Sequence, residues 1–449
     1  MPPSFSAGDT AWLLVSAALV MLMTPGVAFF YGGMVRSKNV LNMLMMTMSA
    51  LGVVTILWAL YGYSEAFGDD TWHFFGRIPQ YFGLKGLIGK DADGAAVPMS
   101  GTTPQMAFVA FQLMFAIITV ALVAGAVADR LRFGPWLLFS ALWATLVYFP
   151  VAHWVFDFNG KDDKGNIVHH GGWIANQLLA IDFAGGTAVH INSGVAGLVL
   201  AIILGKRKGW PKTSMRPHNL PFVMLGAGLL WFGWYGFNAG SALTAGATAS
   251  TVFVTTTVAT AAAMLSWLLV EKLRDGHATS LGAASGIVAG LVAITPSCSS
   301  VNVLGALAIG AAGGAVCAVA IGLKYRLGYD DALDVVGVHM VGGITGTLLV
   351  GLFAAPEAPA GIKGLFYGGG FDQLWRQAVG AGAVLLYSAA VTAVIALAIK
   401  HTIGLRADPE GEARGLDESE HAESAYDFSA VGSGSAERRA FAEAGLRSE

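Results

Sequence analysis

Residues 182–190 read Asp-Phe-Ala-Gly-Gly-Thr-Ala-Val-His. They set an acid and an imidazole at the mouth of an apolar run, Ile191 to Leu204, that carries no charge. A charge at the centre of a bilayer costs from about 2.5 to more than 10 kcal/mol, so an ionisable group at membrane depth marks a functional site by default. A second such place, Asp334-Val-Val-Gly-Val-His339-Met-Val-Gly-Gly-Ile-Thr-Gly-Thr-Leu-Leu, overlays the first by its histidine. Val189 falls on Val338, Gly194 on Gly343, Gly197 on Gly346 and Leu200 on Leu349. These positions follow one helical face, with glycines where another helix comes close. We read an internal repeat with one histidine per half. Chance alignment of common membrane residues is the plain alternative.

Around these two stretches, 55% of the residues are hydrophobic and 12% charged, which places the chain among polytopic membrane proteins. Apolar windows near the roughly 20 residues a bilayer requires fall at 10–33, 40–66, 104–127, 134–154, 187–205, 219–238, 249–270, 280–297, 302–323, 335–355 and 378–400. The predicted fold is all-α with eleven transmembrane helices: two inverted five-helix repeats, about 10–205 and 219–355, plus an eleventh helix at 378–404. Residues 1–404 form the transmembrane domain and 405–449 a partly disordered cytoplasmic tail. The sparse Lys and Arg leave no basic surface for nucleic acid.

Those cations indicate orientation. Arg36 and Lys38, Arg130 and Arg132, Lys206 to Arg216, Lys272 and Arg274, and Lys324 and Arg326 follow the odd-numbered spans through the ninth, which makes those breaks cytoplasmic. No cation precedes Arg36, so the N-terminus is expected outside and the C-terminus inside. The same absence argues against a cleaved signal peptide. Cys298 and Cys317 form no Cys-x-x-Cys pattern, and neither a metal nor a cofactor is expected.

Along the chain, Phe30 and Tyr31 read as pore or core. Phe115, after Ala110-Phe111-Gln112, lies at a depth that matches the outer end of the sixth span. There Trp231-Phe-Gly-Trp234-Tyr-Gly-Phe237-Asn238-Ala-Gly-Ser241 supplies more aromatics, an amide and a hydroxyl. Aromatic faces and a hydroxyl suit a small cation shedding water, at about 0.5–2 kcal/mol per cation–π contact.

These residues resemble the ammonium transporter family, called Amt in bacteria and plants and Mep in fungi, with the Rh glycoproteins as more distant relatives. The resemblance runs from about Ala11 to Tyr426. Asp182 to His190 has the form of the family signature. Phe-Tyr-Gly-Gly at 30–33, Ala110-Phe-Gln112, Pro217-His-Asn-Leu-Pro221, Gly236-Phe-Asn-Ala-Gly-Ser241 and Gly337-Val-His339 look like its other landmarks.

The resemblance implies a channel or transporter for ammonium and ammonia, not an enzyme, set in the plasma membrane as a homotrimer. Phe115 and Phe237 would stack as an outer gate, with Ser241 and Gln112 at a recruitment site. Asp182 would be the acid beneath the vestibule, and His190 and His339 the twin pore histidines near Trp234. The family's vestibule tryptophan is replaced by Phe156, followed by an insertion from Asp157 to His170; Trp154 or Trp173 are other sources of an indole. The tail through Tyr426 resembles one that packs under neighbouring subunits and takes part in regulation by the signal protein PII.

Asp182 also reads as a helix cap bonding the amides of Gly185, Gly186 or Thr187. Two other functions stand beside transport: an ammonium sensor signalling through the tail, and a redox protein with His190 and His339 as axial haem ligands.

Overall fold

The computed structural model describes residues 5–89 and 97–426. The expectation of disorder at 427–449 lies outside the described residues. Among the described residues, ten helices are long and apolar enough to cross a membrane, and a shorter apolar helix accompanies them. In chain order they are α1 (Ala7–Met34), α2 (Ser37–Phe67), α3 (Gln105–Val127), α4 (Phe133–Phe156), α5 (Gly186–Leu204), α6 (Leu220–Ala242), α7 (Ala247–Asp275), the shorter α8 (Ser280–Ile294), α9 (Val303–Leu327), α10 (Val336–Phe353) and α11 (Asp372–Thr402). The fold is the all-α multispan architecture expected from hydropathy.

α7 and α11 run past their apolar windows because polar residues at their ends find partners. Glu271, near the end of α7, accepts from the Thr279 amide (3.0 Å) at the start of α8, satisfying a donor that a helix start leaves free. The eighth helix is shorter than its window because the chain turns at Thr295–Ser300, where Thr255 of α7 donates to the Cys298 carbonyl (2.8 Å).

The two halves interlock. α1 and α6, the first helices of each half, pack along each other, and α11 lies across both α5 and α10. Glycine makes the contact between α5 and α10 possible. A Cβ at Gly194 would lie 2.3 Å from the backbone nitrogen of Met340, and one at Gly343 would lie 2.9 Å from the Gly186 carbonyl. Two glycines paired by the sequence overlay therefore face each other's helices. We expect Gly194→Ala to lower stability by about 1–3 kcal/mol, because the methyl group forces the backbones apart. Thermal melting in detergent reads the effect, and an unchanged melting temperature would refute the close-contact role.

The two ends of the bundle differ. At one end lie Ser6, whose amide meets the Thr102 carbonyl (2.9 Å), and a hairpin pairing Gly160–Lys161 with Ile167–His169. At the other, two short helices, Pro409–Arg414 and Leu416–His421, fold back onto the starts of α2 and α4 and onto the break that follows α5. The Asp417 carboxylate accepts from the Asn42 amide (2.8 Å), Glu420 from the Phe133 amide (3.0 Å) and Glu412 from the Lys208 amide (2.6 Å). His218 and the Tyr426 hydroxyl meet at 2.8 Å.

Candidate functional site

Both histidines sit where the helix widens into a single π turn, over Gly186–Ile191 in α5 and Val336–Met340 in α10. Such turns re-aim side chains and recur at functional sites. The start of each turn is held by an aspartate eight positions before its histidine, Asp182 before His190 and Asp331 before His339.

Asp182 accepts from the amides of Gly185 (2.8 Å), Thr187 (2.8 Å) and Ala188 (3.1 Å), from that of Gly186 and from the Thr187 hydroxyl. Its role as a cap, read from sequence, is present in the geometry. Asp331 accepts from the amides of Val335 (3.2 Å) and Val336 (2.8 Å). Burial pushes the Asp331 carboxyl up to about 6, against the pull of the Lys324 ammonium. Asp334, which opens the second-half stretch in sequence, pairs with Lys324 (2.6 Å) rather than capping the turn. Asp331 was missed, and the shared offset of eight was the signal that would have found it.

The capped turns bring the imidazoles together. His190 Nδ1 and His339 Nδ1 are 3.2 Å apart, with ring centroids at 5.3 Å and planes 23° from parallel. One ring must donate and the other accept, since a neutral imidazole carries one of each. His190 Nε2 is buried without a hydrogen-bond partner. Axial ligands of a haem lie on opposite sides of the iron, about 4 Å apart for two metal bonds of about 2 Å each, and the 3.2 Å contact does not match that arrangement. The haem reading is thereby excluded.

A cavity of about 10 Å³ lies beside the pair, lined by Phe30, Tyr31, Trp234, Phe237, His190 and His339 among others. Phe30 and Tyr31, left open as pore or core, therefore face this cavity. Its volume is about what one water-sized molecule requires. Trp234 stacks on His190 with centroids at 5.4 Å, and its indole donates to the Thr295 hydroxyl (2.9 Å).

Phe115 and Phe237 close the cavity on the N-terminal side, stacked at 4.2 Å and 21° and at most 1% exposed. Beyond them opens a vestibule of about 400 Å³ lined by Phe115, Phe156, Gln112, Ser241, Asp157 and His169, among others. Phe156 packs edge-on to Phe115 (6.3 Å), and Ser241 Oγ donates to the Phe237 carbonyl (2.7 Å).

Trp173 is not brought into this site. Its ring packs against Trp154 (5.9 Å), whose indole donates to the Phe74 carbonyl (2.7 Å), and neither lines the vestibule. The cause is the preceding Gly172, where a Cβ would lie 1.9 Å from the His153 carbonyl; so close a backbone contact seats Trp173 against α4. Asp157 and His169, which sequence reading left inside an insertion, do line the cavity. His169 Nε2 meets the Asp157 carboxylate at 2.9 Å, and that hydrogen bond holds the imidazole above its ordinary pKa.

A family model described as Ammonium Transporter Family matches residues 11–426. An ammonium transporter of Mycobacterium tuberculosis is 70% identical over 443 residues, covering 95% of this chain and 92% of that protein. One of Aquifex aeolicus is 49% identical over 425 residues, covering 94% of each. Among solved structures, Saccharomyces cerevisiae Mep2 superposes with a TM-score of 0.80 at 35% identity, covering 91% of this chain and 89% of that one. A structure titled Sensor Amt Protein gives 0.82 at 30% identity, covering 92% and 98%. Sequence and fold agree over the same stretch, and the chain is a multi-pass membrane protein that belongs to the ammonium transporter family.

Proposed function

We propose that the chain recruits ammonium in the vestibule, removes its proton near the stacked gate and conducts ammonia past the paired histidines, with the proton relayed separately or left behind. The contact between the two Nδ1 atoms, beside a cavity for one small molecule, carries this reading.

The energetics favour it. Ammonium is an amine-type acid with a pKa near that of lysine, roughly 10, so losing its proton at pH 7 costs about 4 kcal/mol. Taking the bare ion into an apolar cavity costs far more, up to tens of kcal/mol by the Born limit. Deprotonation is the cheaper path. Ammonia then meets imidazoles that offer both a donor and an acceptor, including the unpartnered His190 Nε2. K+ has no proton to lose and must carry its full charge through.

In this reading Phe115, Phe156, Ser241 and Gln112 form the recruitment site, and Asp182 places His190 while lending negative charge below it. Residues 1–404 are the transmembrane domain, and the chain from 405 is the tail. The end bearing Arg36, Lys38, Arg130, Arg132 and Lys206 faces the cytoplasm by the positive-inside rule, which sets the N-terminus outside. The family resemblance supports a homotrimer in the plasma membrane, with PII as a partner at the tail side.

A second reading, an ammonium sensor, draws on the tail's contacts with the starts of α2 and α4 and the break after α5 and on the neighbour titled as a sensor. Proteoliposomes on a solid-supported membrane separate the two. We expect an ammonium jump to evoke a response that an equal K+ jump does not. A sustained current means that ammonia and a proton both cross; lumen alkalinisation without current means ammonia alone. The absence of both signals would sink the transport reading and favour the sensor.

A further inference from the structure

The vestibule wall holds an alternating chain of imidazoles and carboxylates that the proposed transport does not use. His73 Nδ1 lies 3.0 Å from Asp70, and Asp70 lies 3.0 Å from His153 Nε2. His153 Nδ1 lies 3.2 Å from Asp157, Asp157 lies 2.9 Å from His169 Nε2, and His169 Nδ1 lies 3.7 Å from Asp69. The chain begins at the surface, where the His73 side chain is 70% exposed, and passes through His153, which is fully buried.

Only two of its members reach the cavity. Asp157 is the one carboxylate, and His169 the one imidazole, among the described residues lining the vestibule. The hairpin puts them there: it leaves α4 after Asp157 and returns at His169. It is anchored by the Gly171 amide on Asn159 (2.8 Å) and by the Asn176 amide group on the Asp157 carbonyl (2.8 Å). Among the described residues, no three such side chains are placed to hold a metal ion.

We propose that Asp157 and His169 tune the vestibule's affinity for ammonium to the pH of the side it faces. The inference rests on the reading of this cavity as the recruiting site. When His169 is protonated, it and Asp157 form a neutral pair and the cavity gains no charge from them. When His169 is neutral, the Asp157 carboxylate stands uncompensated by it and draws a cation toward the faces of Phe115 and Phe156.

Other charged groups act on the pair without reversing the sign. Asp69, Asp70, His73 and His153 belong to the same chain of alternating carboxylates and imidazoles, in which rising pH can only remove positive charge. Glu65 is buried on α2 near His153. Arg77 on the neighbouring loop is exposed, and Lys161, Asp162, Asp163 and Lys164 occupy the outer turn of the hairpin. The hydrogen bond with Asp157 places the His169 transition above the ordinary imidazole value of 6.5. Over the range from pH 6 to 8 ammonium stays protonated, its pKa being roughly 10, so the change belongs to the protein.

The test measures initial ammonium uptake into proteoliposomes against concentration, at outer pH from 6 to 8, for wild type, Asp157→Asn and His169→Gln. Wild type should show a KM that falls about fivefold with rising pH, the effect of one unit charge near 4 Å in a largely aqueous site. Asp157→Asn should hold a high KM at every pH, and His169→Gln a low one. His169 is a half-buried hairpin residue, so its variant decides the question even where Asp157→Asn fails to reach the membrane. A wild-type KM that ignores pH, or a His169→Gln protein that keeps the wild-type slope, overturns the proposal. If wild type takes up no ammonium at all, the transport reading itself fails and takes this one with it.

Discussion

Joint replacement of His190 and His339 by alanine is expected to cut ammonium-evoked flux about 100-fold. On the proposed path each neutral imidazole offers a desolvated ammonia molecule a hydrogen bond that the apolar cavity does not replace. Losing such a bond costs about 1–3 kcal/mol, so two lost bonds at about 1.4 kcal/mol each correspond to about two decades in rate. The contact at 3.2 Å makes the pair a coupled unit, so either single replacement should cost more than half of the double effect in free energy. Stopped-flow alkalinisation of the vesicle lumen measures it. Wild-type flux in the double variant would mean that ammonia takes another path.

The second large effect concerns Asp182. Its carboxylate gathers four backbone amides and the Thr187 hydroxyl at the start of α5. Hydrogen bonds to a charged group contribute about 1.5–3 kcal/mol each, and buried amides left without partners cost a similar amount. Even with strong non-additivity, Asp182→Ala should lose more than about 4 kcal/mol and fail to yield folded protein at growth temperature. Asp182→Asn keeps one acceptor oxygen and should fold with a lowered melting temperature. An alanine variant that melts like wild type but binds ammonium weakly would reverse the assignment, leaving Asp182 as a charge for the cation and not a cap for the helix.

The parts of the molecule that were legible in sequence share a physical reason. Membrane spans are read from solvent exclusion, which acts on every residue of a window, so the eleven windows match the eleven helices to within a few positions. The histidines stand out because ionisable groups are rare in such windows. Matching depth drew attention to Phe115, Phe237 and Trp234, and the structure packs them ring against ring with His190 and His339.

What escaped reading depends on turns. Asp330, Asp331 and Asp334 crowd a short break, and hydropathy does not distinguish the acid that caps a turn from the one that pairs with Lys324. The vestibule wall was hidden for a different reason. Asp157 and His169 are twelve positions apart, and only the hairpin between them closes the gap to 2.9 Å. Read linearly, that segment is a polar insertion. Trp173 was misplaced because an indole's chemistry suggests a cation site, whereas the packing of Gly172 on the His153 backbone decides where the ring goes.

The two facing Nδ1 atoms share a single hydrogen, which gives the imidazole pair two settings, each the reverse of the other. On the proposed relay, a proton passed through the pair would enter at one outer nitrogen and leave at the other, and the one hydrogen bond between the rings would reverse. The pore then holds a one-bit record of its last event. Until a ring rotates or the hydrogen hops back, a second proton coming the same way finds the switch thrown against it. On the proposed relay, proton throughput would be clocked by the reset of two rings, while a neutral molecule slipping past them would keep no such time.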